Sequence, residues 1–232
     1  MPLKKMLLSA ALLGLFAVLG TALVAFTYEN TRERIAQNER DNLLQSLHAL
    51  IPPELHDNDP VADRIEVSDS ALLGSRMPQQ VYRARKDGTP VALALTAVAP
   101  DGYSGDINLL IAINHDGTLA GVRVTGHHET PGLGDRIEVA RTDWVLGFSG
   151  RSLANPAPEK WKVKKDGGVF DQFTGATVTP RAVVGAVRNA LLYYQEHQEQ
   201  LFGYAPDAAA PAVPAPEQPG EGKPMTPENT HG

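Results

Sequence analysis

Between Met6 and Tyr28 the chain reads MLLSAALLGLFAVLGTALVAFTY, 23 residues without a formal charge. A helix needs ~20 predominantly apolar residues to cross the hydrocarbon core of a bilayer. This run therefore predicts a single retained membrane span, with residues 1–28 forming a short N-terminus and a transmembrane helix. The competing reading is a cleaved signal peptide, which expects an apolar region nearer ~7–15 residues and a small-x-small site. Here the run is longer, and Ala22 and Ala25 are separated by two residues rather than one. Lys4 and Lys5 precede the span, whereas Arg32, Arg34 and Arg40 follow it, interleaved with Glu29, Glu33, Glu39 and Asp41. The free amine adds a third positive charge before the span, and the positive-inside rule then gives only a mild preference for a cytoplasmic N-terminus.

From Glu29 to Ile51 there is no Pro or Gly, and Ile35, Asn42, Leu43, Leu47, Leu50 and Ile51 recur near helical spacing. A stalk helix is expected within residues 29–53, continuing out of the membrane and stopped by Pro52-Pro53. The 42% hydrophobic content of the chain supplies one sizeable core, so residues 54–204 are read as a single domain. Its pattern is that of an antiparallel sheet. Residues 81–85 and 91–98 flank Asp87-Gly88, and residues 106–113 and 119–125 flank Asp116-Gly117, two hairpins closed by Asp-Gly. A third Asp-Gly, at Asp166-Gly167, precedes an expected strand over 169–173. Helices are expected over 135–146, where Ile137, Ala140, Trp144 and Val145 share a face, and over 180–197, where Val183, Val187, Ala190, Leu191 and Tyr194 form one stripe that should pack on the sheet. The fold class is α+β. Residues 205–232 are Pro- and Ala-rich without periodic apolar positions and are expected to be a disordered tail.

Composition excludes several chemistries. With a formal charge of -6 and no Lys/Arg-rich block, a nucleic-acid backbone would be repelled rather than attracted. No cysteine is present, so Cys-ligated iron–sulfur clusters, Cys-type zinc sites, CxxCH haem attachment and disulfides are excluded. Redox chemistry would need a borrowed cofactor. His127, His128 and Glu129 invite a metal reading, but neighbours on a strand point to opposite faces and no fourth ligand has suitable spacing, so no metal is expected. Tyr82, Tyr103, Trp144, Phe170 and Phe173 could stack on a ring, yet core positions are the commoner use of such residues.

The stretch DQFTGATVTP, Asp171–Pro180, has two readings. It is a plain turn, with Gly175 supplying the dihedral angle and Thr179 capping a helix that begins at Pro180. Alternatively, Thr177 carries a covalent anion, since a phosphate on its hydroxyl would face the positive end of that helix, with Arg181 as a further charge. Likewise the turn Glu129-Thr130-Pro131-Gly132-Leu133-Gly134 is either a plain connection or a side-chain-poor surface able to approach a flat ring.

The heptad Asp171–Thr177 fits a D-x-x-(S/T)-G-A-(S/T) pattern. Together with Gly102-Tyr103-Ser104-Gly105, Asp116-Gly117, Glu129–Gly134 and the N-terminal span, it resembles the FMN-binding domain family of RnfG, a component of Rnf electron transport complexes, and its relative NqrC over roughly residues 1–200. That resemblance implies FMN held by a phosphoester to Thr177, installed from FAD by a separate flavin transferase that recognises Asp171, Thr174, Gly175 and Ala176. It also implies that Glu129, Thr130, Gly132 and Leu133 face the cofactor. The resemblance further implies a single-pass protein of the bacterial inner membrane with its FMN domain on the periplasmic side. There it would act as an electron-relay subunit, not an autonomous catalyst, of an ion-translocating ferredoxin:NAD oxidoreductase complex, with the other subunits as partners. Two alternatives stand beside it: the NqrC-like subunit of a sodium-translocating NADH:quinone reductase, and an anchored non-redox binding module.

Overall fold

The computed structural model describes residues 2–203; the tail expected over 205–232 lies outside the described residues. One uninterrupted helix, α1, runs Pro2–Leu50. Its N-terminal half exposes Leu3, Leu7, Leu12, Phe16, Leu19, Leu23 and Phe26, and it is the one described helix long and apolar enough to cross a membrane. Only at its C-terminal end does α1 meet the rest of the protein. The two prolines that follow cannot continue the backbone hydrogen-bond ladder, and a short 3-10 turn, Pro53–Leu55, leads into the sheet.

Five antiparallel strands follow in simple meander order: β1 (Arg64–Val67), β2 (Gln79–Lys86), β3 (Thr89–Ala99), β4 (Ile107–Asn114) and β5 (Leu119–Gly126). Asp87-Gly88 closes the first hairpin and Asp116-Gly117 the second, where Asp116 Oδ1 accepts from the Thr118 N–H at 2.8 Å. Alternation along the strands divides the sheet into two faces. Val81, Leu93, Leu95, Leu109, Ile111 and Ile113 face the main core, which is completed by the second long helix, α2 (Val178–Gly203), through Val183, Val187, Ala190, Leu191 and Tyr194.

The opposite face carries small residues, Ala84, Ala92, Ala94 and Ala112, with Tyr82 and Leu110. That face would be open to water were it not covered by Leu47, Leu50 and Ile51 from the end of α1. The last turns of the stalk are thus part of a second core, and Arg40 adds a 2.7 Å ion pair to Asp59. The domain is packed onto its anchor rather than hung from it. Leu47 is 1% exposed, and Leu47→Ala is expected to cost about 2–5 kcal/mol, read as a lowered melting temperature of the detergent-purified chain.

Two expected elements differ in the structure. Residues 135–146 form no α-helix; they form two 3-10 turns, Gly134–Ile137 and Asp143–Phe148. Thr142 interrupts them in an extended conformation and caps the second with its hydroxyl, so the apolar spacing buries Ile137, Val145 and Phe148 from two separate turns. Residues 169–173 form no strand of the sheet. They run instead beside residues 160–164, with Phe170 N–H donating to Lys162 O at 3.2 Å and Lys164 N–H to Phe170 O at 2.7 Å. The edge strand β1 carries only Ile65 and Val67 as an alternating signal.

Candidate flavin site

Phe173, buried in the core, roots the turn that precedes α2. Ala176 N–H donates back to Phe173 O at 3.1 Å, closing Thr174-Gly175 as a tight turn. Gly175 has φ +83°, the left-handed region that disfavours a side chain. A Cβ there would also point toward Leu133 Cδ2, 3.6 Å away. Helix α2 starts at Val178, two residues before the position expected from Pro180. Proline is tolerated in the first turn because its missing N–H is one that has no partner within the helix. Thr177 is the residue immediately before α2, and its carbonyl accepts from the Arg181 N–H at 3.3 Å. Thr177, and not Thr179, therefore occupies the position that precedes the helix.

The three threonines of this stretch are chemically distinct. Thr174 is exposed on the turn. Thr179 is fully buried, 0% exposed, and donates a short hydrogen bond to Glu129 Oε2. Thr177 is half-buried, and its hydroxyl forms no hydrogen bond among the described residues. Of the three, only Thr177 combines a free hydroxyl with the N-terminus of a 26-residue helix.

Glu129 connects three segments that are distant in sequence. It is 4% exposed; besides the Thr179 hydroxyl it accepts the Ser104 N–H at 2.9 Å. Its own N–H donates to His127 Nδ1 at 3.0 Å, which leaves the proton on Nε2, 2.7 Å from Glu138 Oε1. Gly134 packs directly on the carboxylate, and a Cβ there would lie 2.7 Å from Glu129 Oε2. The Gly102–Gly105 loop, the Glu129–Gly134 turn and the start of α2 are in this way fixed around one buried acid. Thr179 and the Ser104 N–H are the partners that sequence reading missed; nothing in local pattern links Glu129 to a threonine 50 positions away.

Between these segments lies a cavity of about 300 Å3, lined by Tyr103, Thr130, Leu133, Ala176 and, on its floor, Glu129 and Thr179, with Gly134 and Gly175 leaving it open. Tyr103 is 71% exposed at its rim. Of the residues read from sequence, Glu129, Thr130, Leu133, Gly175 and Ala176 converge here, whereas Asp171, Thr174 and Gly132 do not line it, and Thr177 lies between the lining residues Ala176 and Thr179 without lining it itself. Asp171 lies on the outer side of the turn, where its carboxylate takes a 2.5 Å ion pair from Lys164 and its carbonyl accepts from Trp144 Nε1 at 2.8 Å. Phe170, Phe173 and Tyr82 are core residues. Arg181 does not reach toward Thr177; it pairs with Asp166 at 2.7 and 3.0 Å. This bond holds the Asp166 carboxyl below its usual range, and the charges of Lys165 and Lys162 act in the same direction.

Residues 102–192 match the FMN-binding domain family, and residues 1–50 match the RnfG N-terminal region. The chain is 50% identical over 194 residues to the G subunit of the ion-translocating oxidoreductase complex of Shewanella loihica, covering 84% of this chain and 92% of that one. To the G subunit of the Pseudomonas aeruginosa complex it is 51% identical over 207 residues, 89% of this chain and 96% of that one. To that of Vibrio cholerae it is 50% identical over 190 residues, 82% and 90% respectively. The chain belongs to the RnfG family, the G subunits of ion-translocating oxidoreductase complexes. Within this RnfG-family chain, the matched FMN-binding domain contains every segment around the cavity, from Gly102 to the first turns of α2. The other match covers the apolar helix that makes the protein membrane-associated.

Proposed function

We propose that this protein carries electrons within an Rnf-type ion-translocating complex through an FMN bonded by its phosphate to Thr177 Oγ, with the ring lying in the cavity beside it. The observation that carries this reading is the free Thr177 hydroxyl at the N-terminus of α2, adjoining a cavity whose walls come from the same three segments as the sequence motifs. The residues present fit the group. The first-turn N–H groups and the helix dipole favour a phosphate there. Tyr103 and Leu133 are exposed at the cavity and offer faces to a flat ring. At Gly175 the missing side chain leaves the approach from Thr177 clear.

Bound FMN would supply reversible transfer of one or two electrons, which this cysteine-free chain has to borrow from a cofactor. The protein's part is placement. Glu129 holds the cavity walls in register through Thr179 and Ser104, while Leu47 and Leu50 fix the domain to the membrane helix. On this reading the domain lies on the outer face of the cytoplasmic membrane, where a covalent bond retains a cofactor that dilution would otherwise remove. The overall reaction, between ferredoxin and NAD, needs partner subunits that supply iron–sulfur clusters and a nucleotide site. The test is direct: when the chain is co-expressed with a flavin transferase, its band in a denaturing gel should fluoresce under ultraviolet light. A dark band from a fully loaded, folded preparation would exclude the covalent bond and leave at most a dissociable flavin.

A further inference from the structure

The segment beside the acceptor turn is basic in a chain that is otherwise acidic. Between Lys160 and Arg181 there are five cations, Lys160, Lys162, Lys164, Lys165 and Arg181, against two carboxylates, Asp166 and Asp171, while the whole chain carries -6. Backbone pairing of residues 160–164 with 169–170 brings these cations toward the turn, and Lys165 N–H donates to the Gln172 side-chain Oε1 at 3.2 Å. Trp161 and Val163 point into the core, so the lysines between and around them are forced outward, and all four are exposed. Lys164 and Arg181 are engaged by Asp171 and Asp166. Lys162 and Lys165 have no side-chain partner among the described residues. Both nevertheless lie close enough to Asp166 to act on its charge.

We infer that Lys162 and Lys165 form a docking rim for the flavin-loading enzyme, meeting a carboxylate-bearing face of that protein as it approaches Thr177. This deepens the covalent-FMN reading and rests on it. In the loading step the Thr177 Oγ–P bond forms as the diphosphate of FAD breaks, AMP leaves, and the hydroxyl proton passes to a base of the loading enzyme; no electrons change hands. The enzyme must therefore cover Thr177 and its surroundings, and the surface next to the turn is the lysine rim. Opposite charge steers such an encounter and acts mainly on association. It is screened over about 10 Å at 0.1 M salt.

The test is the loading rate of the full-length chain in detergent with a flavin transferase and FAD, followed by intact mass. Lys162→Glu/Lys165→Glu is expected to lower kcat/KM for loading at least tenfold at low salt, through KM with kcat retained, and to converge on the native chain as salt is raised. Lys162→Gln/Lys165→Gln should fall between the two and should melt with the native chain. Native-like loading of the Glu variant at low salt would overturn the inference, as would a loss confined to kcat. Unchanged loading with slowed electron uptake would overturn it too and assign the rim to a redox partner. The underlying reading fails separately, and this inference with it, if the native chain takes up no mass or Thr177→Ala takes up as much.

Discussion

A chain carrying Thr177→Ala is expected to be colourless and to lack the esterified FMN mass of the loaded native protein, while unfolding within about 1 kcal/mol of the unloaded native chain. The two halves of this result have different causes. The hydroxyl is the proposed bond to phosphorus, and an alanine offers no oxygen, so loading should fall to background rather than by a graded factor. Stability should barely change because Thr177 Oγ makes no hydrogen bond among the described residues, so its removal strands no partner. Thr174→Ala, at a residue of the sequence the transferase reads, should load more slowly but still take its FMN on Thr177, since the Thr174 hydroxyl sits on the turn and not at the helix terminus. Intact mass and a denaturant titration on the same three preparations check both halves.

Glu129→Ala should act in the opposite way, through the fold first and the flavin second. Removing the carboxylate leaves the fully buried Thr179 hydroxyl and the Ser104 N–H without their acceptor. Each stranded group costs ~1–3 kcal/mol, so a loss on the order of 3 kcal/mol is expected, or roughly 6–12 °C in melting temperature for a domain of this size. Glu129→Gln keeps one good acceptor and should lose about half as much. Because the same carboxylate holds the Gly102–Gly105 loop against the start of α2, Glu129→Ala should also loosen the cavity wall at Tyr103. Thermal unfolding followed through Trp144 and Trp161 measures the first effect. A native melting temperature for Glu129→Ala would mean that the three segments are held together by something other than this acid.

The contrast between these two residues shows what a sequence can and cannot disclose here. The two hairpins were legible because Asp87-Gly88 and Asp116-Gly117 carry their turn chemistry locally, and α2 was legible because its apolar stripe recurs from Val183 to Tyr194. The start of α2 was misplaced by two residues because Pro180 reads as a first helical position while the structure uses it further in. Residues 135–146 misled because one apolar spacing can serve either a helix or two short turns around Thr142. The stalk's role in the second core was invisible, since the face it covers is written in alanines at 84, 92, 94 and 112, which announce nothing by themselves. For the site, five of the motif residues converge on one cavity, because the Glu129–Gly134 turn and the start of α2 meet there. The partners that fix the cavity, Thr179 and the Ser104 N–H, depend on contacts 50 and 25 positions apart in the chain, where no local pattern reaches.

Fragmentation of the peptide spanning Asp171 to Arg181, taken from protein loaded in cells and denatured before digestion, tests the central claim most directly. The account predicts the mass of one FMN less one water, phosphate included, on the fragment ions that contain Thr177 and on none that end at Thr174. An unmodified peptide from yellow protein, or the added mass on Thr174 or Thr179, would contradict it.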